Sequence, residues 1–383
     1  MTCPHCSHDA RCHGFRSRQV VSLFGPIRLQ RHYYHCKHCR KGLCPRDQLL
    51  GLRSHDLTAA ADQLVCTVGV LDSFAQAAQN ILTPLTGLHV SESTVERCTE
   101  AAGERLRQTF LGGATLGDPQ AWAWHRDADG KSVAYVLADA TGVGMQGEHA
   151  AEAAGRMANV VAIANPVPEE RDRWAEPTRK RPPPCPARYL ASLDGWSELG
   201  EVARRQGGQV GMDQADRWVA IGDGGSGLEE WLRSNFPRVE VVILDFWHAA
   251  GYVGQLAQAL HPQDDQAALA WREQWCHALK HEGGAAVLER LKGLAVPKSA
   301  FGCWEEVVRY FTNQVHRMDY PAYRAKGWSI GSGVVESACK RVVGQRLKGG
   351  GMRWSEAGAN AVCYLRALFL SEPGQWKAFW CTK

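Results

Sequence analysis

The chain has 383 residues, beyond the size at which a single core usually stops growing, so two or three domains are expected. With 22% charged and 45% hydrophobic residues it is neither a disordered nor a fibrous sequence. No run approaches about 18 uninterrupted apolar residues, and the opening Met1-Thr2-Cys3-Pro4-His5-Cys6 lacks the charged-then-apolar layout of a secretion signal, which argues against membrane insertion and export. The 14 cysteines therefore read as thiols or metal ligands in a cytoplasmic protein rather than as disulfides.

Residues 1–50 hold nine Lys or Arg against Asp9 and Asp47, a net +7 in a chain whose total is +4. So basic an end predicts a polyanion as partner, with phosphate contacts supplying affinity without sequence information. Cys3-Pro4-His5-Cys6 and Cys36-Lys37-His38-Cys39 are two C-x-x-C pairs separated by 29 residues. Each pair sets two thiolates on one knuckle. Four thiolates make a closed tetrahedral zinc site, a substitute for the core that so short a module can hardly build. The expectation for 1–50 is a zinc ribbon with Cys3, Cys6, Cys36 and Cys39 around one structural Zn²⁺. His5, His8, Cys12, His13, His35, His38 and Cys44 crowd the same region as alternative ligands.

Residues 51–115 read as helical: Leu57 to Val70, Ser73 to Leu85 ending near Gly87, and a third helix from Ser91. Ser93-Thr94-Val95-Glu96 has the spacing of a capping box. Two helices joined by Gly87-Leu88-His89-Val90 fit a helix-turn-helix, with the Ser91 to Arg105 helix as the candidate DNA reader and a packing connector as the plain alternative.

From about residue 116 the pattern turns to strands: Val133 to Ala138, Val160 to Ala164, Tyr189 to Leu193, Trp218 to Ile221 and Val239 to Leu244. Helical stretches fall at Ser197 to Arg205 and Gly227 to Asn235. Three strands, a helix, a strand, a helix and a strand make a mixed α/β domain, an order that suits a ribonuclease-H-like sheet over 116–383. Residues 247–325 lack strand patterns and carry Trp271, Trp275 and Trp304, as a helical insertion would. Residues 166–186 contain seven of the 17 prolines and read as an exposed, mobile connection.

Asp139 in Ala138-Asp139-Ala140-Thr141-Gly142 and Asp223 in Gly222-Asp223-Gly224-Gly225 each close an apolar strand, where a sheet presents its active edge and small neighbours admit a metal or phosphate. An Asp among glycines is also a common turn residue. Glu336 lies in a helix opening near Ser332, on the border of an apolar stripe with Cys339 and Val343. Three such carboxylates can hold two Mg²⁺ ions, or Mn²⁺ in their place, about 4 Å apart for in-line phosphoryl transfer. Asp245 and His248 end the Val239 to Leu244 strand and are further candidates. Lys340, Arg341, Arg346, Lys348 and Arg353, with no acid between them, form a basic stretch able to hold a phosphodiester.

These residues together resemble bacterial insertion-sequence transposases of the Kra type, relatives of the Mutator-like DDE transposases. The likeness spans nearly the whole chain. It rests on the paired-cysteine start, Ser91-Glu92-Ser93-Thr94-Val95-Glu96, Ala138-Asp139-Ala140-Thr141-Gly142, Gly222-Asp223-Gly224, Leu244-Asp245-Phe246-Trp247-His248 and Gly331-Ser332-Gly333-Val334-Val335-Glu336-Ser337. The resemblance implies that Asp139, Asp223 and Glu336 are the catalytic DDE acids, that Asp245 and His248 match the family's C/D-x-x-H element, and that either Asp223 or Asp245 is the second acid. It also implies a homo-oligomer acting on paired ends of double-stranded DNA, the terminal inverted repeats and the target, at the nucleoid. The alternatives are a non-catalytic, domesticated DNA-binding protein and a structure-selective endonuclease.

Overall fold

The computed structural model describes residues 1–52, 55–147, 155–166, 185–372 and 374–381. Most of the proline-rich connection, residues 167–184, lies outside them. By internal contacts the chain forms two compact units, one of Met1–Thr109, Ser355–Phe369 and Pro373–Lys383, the other of Phe110–Trp354 and Leu370–Glu372. The stretches 1–50 and 51–115, read separately from the sequence, thus fall almost wholly within one unit.

The first unit opens with a long antiparallel ribbon, β1 (Ala10–Ser22) and β2 (Gly25–Cys36), edged by the short β3 (Gly42–Leu43). The four paired cysteines close its base. Arg18 and Arg31 both reach Asp47, and Arg18 also pairs with Asp56 at 2.7 Å, so one face of the ribbon is tied to the segment that follows it. Helices Ala59–Leu71 and Glu92–Leu111 flank a helical stretch from Phe74 to Thr86 that widens into a π turn at Ala77–Leu82 and stops at left-handed Gly87. The helix is capped by a single hydroxyl ahead of the expected capping box. The hydroxyl that accepts the orphan N–H of Thr94, at 3.2 Å, is Ser91, and Ser93 lies inside the first turn because the helix starts at Glu92. The almost wholly buried helix Glu356–Leu370 returns to this bundle. It passes so close to Gly103 that a Cβ there would stand 2.1 Å from the Ala361 carbonyl oxygen.

The second unit is built on a five-stranded mixed sheet: β4 (Val133–Val143), β5 (Arg156–Ala164), β6 (Ala187–Ser192), β7 (Arg217–Gly222) and β8 (Val239–Leu244), in the order β6-β5-β4-β7-β8. The β4–β5 and β5–β6 pairs are antiparallel, and β4–β7 and β7–β8 are parallel. Val133 to Ala138 are all buried, the continuous apolar run that a central strand requires. Helices Trp196–Gln209 and Leu228–Asn235 connect the strands as expected. After β8 the chain is helical over Phe246–Leu260, Asp265–Lys292, Phe301–Gln314 and Tyr320–Ala325. In that block Trp271 stacks on Trp275 at 4.6 Å and the Trp304 indole donates to the Leu291 carbonyl at 2.7 Å. No helix among the described residues is long and apolar enough to cross a membrane.

Candidate functional site

Strand register aligns three of the expected acids. Ala138 pairs with Gly222, and Gly222 with Leu244, so the next residues, Asp139, Asp223 and Asp245, stand at one level along the carboxyl edge of the parallel strands. That edge is where open α/β sheets receive ligands. Asp139 is not at the end of its strand, as the sequence suggested. Pairing with β5 carries β4 on to Val143, and Asp139 marks only the end of the parallel pairing with β7.

Glu336 comes to the same place from the far end of the unit. Ser332 sits just before helix Gly333–Ala338, and its backbone N–H donates to Asp245 Oδ1 at 2.9 Å. One helical turn later Glu336 faces the acids. Ala138, Asp139, Asp223, Asp245, Trp247, His248, Ser332 and Glu336 line one cavity of about 230 Å³. Below Glu336 the helix buries Val335 and Ala338, then widens into a π turn over Cys339–Gly344, a local irregularity frequent at functional sites.

The acids differ in their surroundings. Asp245 is buried and accepts the N–H groups of Trp247 at 3.2 Å and His248 at 3.3 Å besides that of Ser332, so it caps helix Phe246–Leu260 and anchors the Glu336 segment. Asp223 accepts one local N–H, from Gly225 at 2.9 Å. Asp139 accepts the Ala140 N–H at 2.7 Å and lies 3.4 Å from the Cys339 thiol. Burial pushes the Asp139 carboxyl above the usual carboxylate range, and the charges of Asp223 and Asp245 add to the rise against those two hydrogen bonds. The Cys339 thiol is raised as well, chiefly by burial and then by Asp139, which keeps it a neutral donor.

Among the described residues no three carboxylates bring their oxygens within 4.8 Å of one another. The acids instead line one shared cavity of about 230 Å³. The donors are hard carboxylate oxygens, the ligand type that suits Mg²⁺.

Three side chains that the sequence reading did not single out hold the Asp223 turn. Arg317, 2% exposed, donates to the carbonyls of Gly222 and Asp223 at 3.2 Å each and to that of Val242 at 3.3 Å. Gln314 donates to the Gly224 carbonyl at 3.4 Å, and the Tyr310 ring covers Gly224 so closely that a Cβ there would lie 2.5 Å from its hydroxyl. Positions 310, 314 and 317 recur at i, i+4 and i+7, the first two on helix Phe301–Gln314 and Arg317 at the end of the 3-10 turn that follows it. That spacing was visible in the sequence, but nothing in it indicated which partner these side chains meet. Tyr310 also stacks on Tyr252 at 3.9 Å and lies 5.9 Å from His248.

The basic stretch divides. Lys340, Arg341, Lys348 and Arg353 are exposed, and the Lys348 ammonium reaches the Thr141 hydroxyl two residues beyond Asp139. Arg346 does not belong to that surface. It is 1% exposed, with its guanidinium 5.0 Å from the centre of the Trp354 ring, because it points inward as the π turn closes.

In the first unit the sulfurs of Cys3, Cys6, Cys36 and Cys39 cluster within 4.8 Å, with Cys3–Cys39 at 3.6 Å and Cys6–Cys36 at 3.5 Å. A tetrahedron with Zn–S of about 2.3 Å has edges of roughly 3.8 Å. The four thiols can therefore bind a metal such as zinc. The backbone N–H of Cys39 is the largest influence drawing the Cys36 thiol down, while its hydrogen-bonded partner Cys6 is raised, so the two share a proton. His8 and His38 stack at 3.6 Å beside Cys6 and form a second, overlapping donor group with it. No family model matches the chain, and no curated protein matches its sequence.

Proposed function

We propose that this protein is a DNA transposase, in which the first unit binds element ends and the second cleaves and joins DNA strands. The observation that carries the reading is the convergence of Asp139, Asp223 and Glu336, from three distant parts of the chain, on one cavity at the carboxyl edge of the parallel strands. The strand order, with the first three strands antiparallel and the fourth and fifth parallel to the first, supports a ribonuclease-H-like sheet carrying a helical insertion. The likeness to Kra-type and Mutator-like transposases points the same way.

Asp139, Asp223 and Glu336 would hold two Mg²⁺, with Mn²⁺ as a substitute. Bound there, the ions supply Lewis acidity to the attacking oxygen and to the leaving oxygen. The protein's own residues do the rest. The three carboxylates fix the reacting phosphate by fixing its counter-ions, while Asp245 keeps the Glu336 helix against the strand ends. His248, exposed on the cavity wall, is a hydrogen-bonding partner for a phosphate oxygen. Lys340, Arg341, Lys348 and Arg353 offer positive charge beside the acids. In the reaction a water or 3′-hydroxyl oxygen gives up its proton to solvent as it forms a bond to phosphorus, the P–O3′ bond breaks, and the departing oxygen takes up a proton from solvent.

Asp223 rather than Asp245 is the better second acid, since Asp245 already accepts three backbone N–H groups, which fill Oδ1 and half of Oδ2, while Asp223 accepts one. The zinc ribbon and the helices after it supply duplex DNA binding, and joining two ends calls for a homo-oligomer on DNA. The test is incubation of the purified protein with Mg²⁺ and a duplex carrying the DNA that flanks its gene. Nicked and strand-transferred products, absent with Asp223→Asn, are expected. Binding without cleavage would favour a DNA-binding protein, and cleavage without joining would favour an endonuclease.

A further inference from the structure

The β1–β2 ribbon ends in a feature that folding does not explain. Ser22 pairs with Gly25, so Leu23 and Phe24 form a two-residue turn, a place where Asn-Gly or Asp-Gly is usual. Phe24 is 100% exposed, Leu23 41% and Ile27 39%. The tip is nonetheless held in one shape. The Ser22 hydroxyl donates to the Gly25 carbonyl at 2.8 Å and accepts the Phe24 N–H at 3.2 Å. Just behind it Val21 exchanges backbone hydrogen bonds with Asp56 and Thr58. Three large apolar side chains are thus displayed in water on a braced hairpin.

The two faces of the ribbon differ as well. One carries buried Val20 and the Arg18 and Arg31 side chains committed to Asp47 and Asp56. The other alternates Ser17, Gln19, Arg28, Gln30 and His32, all exposed. With Arg11 and Arg16 also exposed, the apolar tip crowns a cationic ribbon lined with hydrogen-bonding side chains.

We propose that this hairpin is a duplex-DNA-bending arm, with Phe24 as a wedge inserted between base pairs from the minor groove. Apolar wedges flanked by basic side chains unstack a base step and kink DNA, and they require a rigid support, which the bracing at Ser22 and Val21 provides. Charge selects this occupant over a second copy of the chain, whose ribbon would bring like charge against like. The exposed Gln and Ser side chains match groove edges and sugar–phosphate oxygens, and a lipid surface gives them nothing comparable to bind. The inference rests on the reading of the first unit as DNA-binding and adds how the duplex is deformed.

The test uses the full zinc-loaded chain and a mixed-sequence duplex of about 40 base pairs, short against the persistence length of DNA. The duplex has fluorophores at both ends and 2-aminopurine beside a central TA step. The wild type is expected to raise end-to-end energy transfer and to brighten 2-aminopurine. Phe24→Ala is expected to abolish both signals while weakening binding by no more than about tenfold, and Phe24→Leu to restore part of them. Equal bending and brightening in Phe24→Ala would overturn the wedge while leaving DNA binding intact. A wild type that does not bind the duplex at low salt overturns both the wedge and the DNA-binding reading. Loss in Phe24→Ala of self-association without DNA, or of binding to phosphatidylserine vesicles, with duplex distortion unchanged, assigns the tip to another partner and also overturns it.

Discussion

The backbone N–H of Ser332 donates to Asp245 Oδ1 at 2.9 Å, joining the end of the last strand to the start of the helix that carries Glu336. The two residues are far apart in sequence, and their contact brings the third acid to the strand edge. Asp245→Ala leaves three backbone N–H groups without their acceptor, that of Ser332 buried, and the buried one alone costs about 1–3 kcal/mol. It is expected to lose stability and strand cleavage together. Asp223→Asn, with only a local N–H to lose, is expected to abolish cleavage at nearly unchanged stability. Thermal unfolding measured beside a Mg²⁺-dependent cleavage assay separates the two. Equal stability loss in both variants would remove the distinction drawn between them.

Arg317 supports the other side of the same edge, holding the carbonyls of Gly222 and Asp223 without facing the cavity itself. Arg317→Lys keeps a charge but not the planar fork that serves several carbonyls at once. It is expected to raise the Mg²⁺ concentration needed for half-maximal cleavage by about tenfold, the usual cost of disturbing a ligand's support. A metal titration of the cleavage rate reads this directly. An unchanged midpoint would make Arg317 a purely structural residue.

Asp139 supplies a pH-dependent test. Its carboxyl is raised by burial first and then by Asp223 and Asp245, so the folded state binds this proton more tightly than the unfolded chain does. Its contribution to stability is therefore full below the unfolded value and declines as pH rises through the folded one. Asp139→Asn removes the buried charge. Without divalent ions the variant is expected to melt about 2 °C higher than wild type near pH 7, and the difference is expected to vanish in acid. Added Mg²⁺ should stabilise the wild type and leave the variant unmoved. Calorimetric scans across pH, with and without Mg²⁺, check each part.

The thiol cluster predicts one tightly held zinc per chain. Removing it with a strong chelator, or by Cys36→Ala, is expected to open the ribbon to proteolysis near residues 10–36, because the small core there has little besides the metal to order it. Elemental analysis and limited proteolysis report on this together. A zinc-free protein with a protease-resistant ribbon would refute it.

Much of the fold was legible because the buried strands are unbroken apolar runs. Val133 to Ala138 is one such run, and Val241 to Leu244 is another, following the exposed Glu240. Asp139, Asp223 and Asp245 stood out as charges placed directly after such runs, and the two C-x-x-C pairs carried the thiol cluster through spacing alone. What failed depends on partners remote in sequence. Arg346 reads as one more cation in a basic stretch until the π turn directs it beneath Trp354. Ser93 fits a capping formula, but the hydroxyl that caps the helix is Ser91, two residues earlier. Asp139 lies mid-strand because β5 extends its pairing past the point where β7 stops. Arg317 had no local signal, since its role consists of carbonyls on two strands some 75 and 95 residues away.

Joint binding of divalent ions by Asp139, Asp223 and Glu336 is tested by Mn²⁺ without any knowledge of the DNA substrate. Titration of the zinc-loaded protein followed by the electron paramagnetic resonance signal of free Mn²⁺ is expected to show about two bound ions, competed by Mg²⁺. Asp223→Asn and Glu336→Gln should each lose that binding while remaining folded. Failure of the wild type to bind Mn²⁺, or undiminished binding in both variants, would contradict the account.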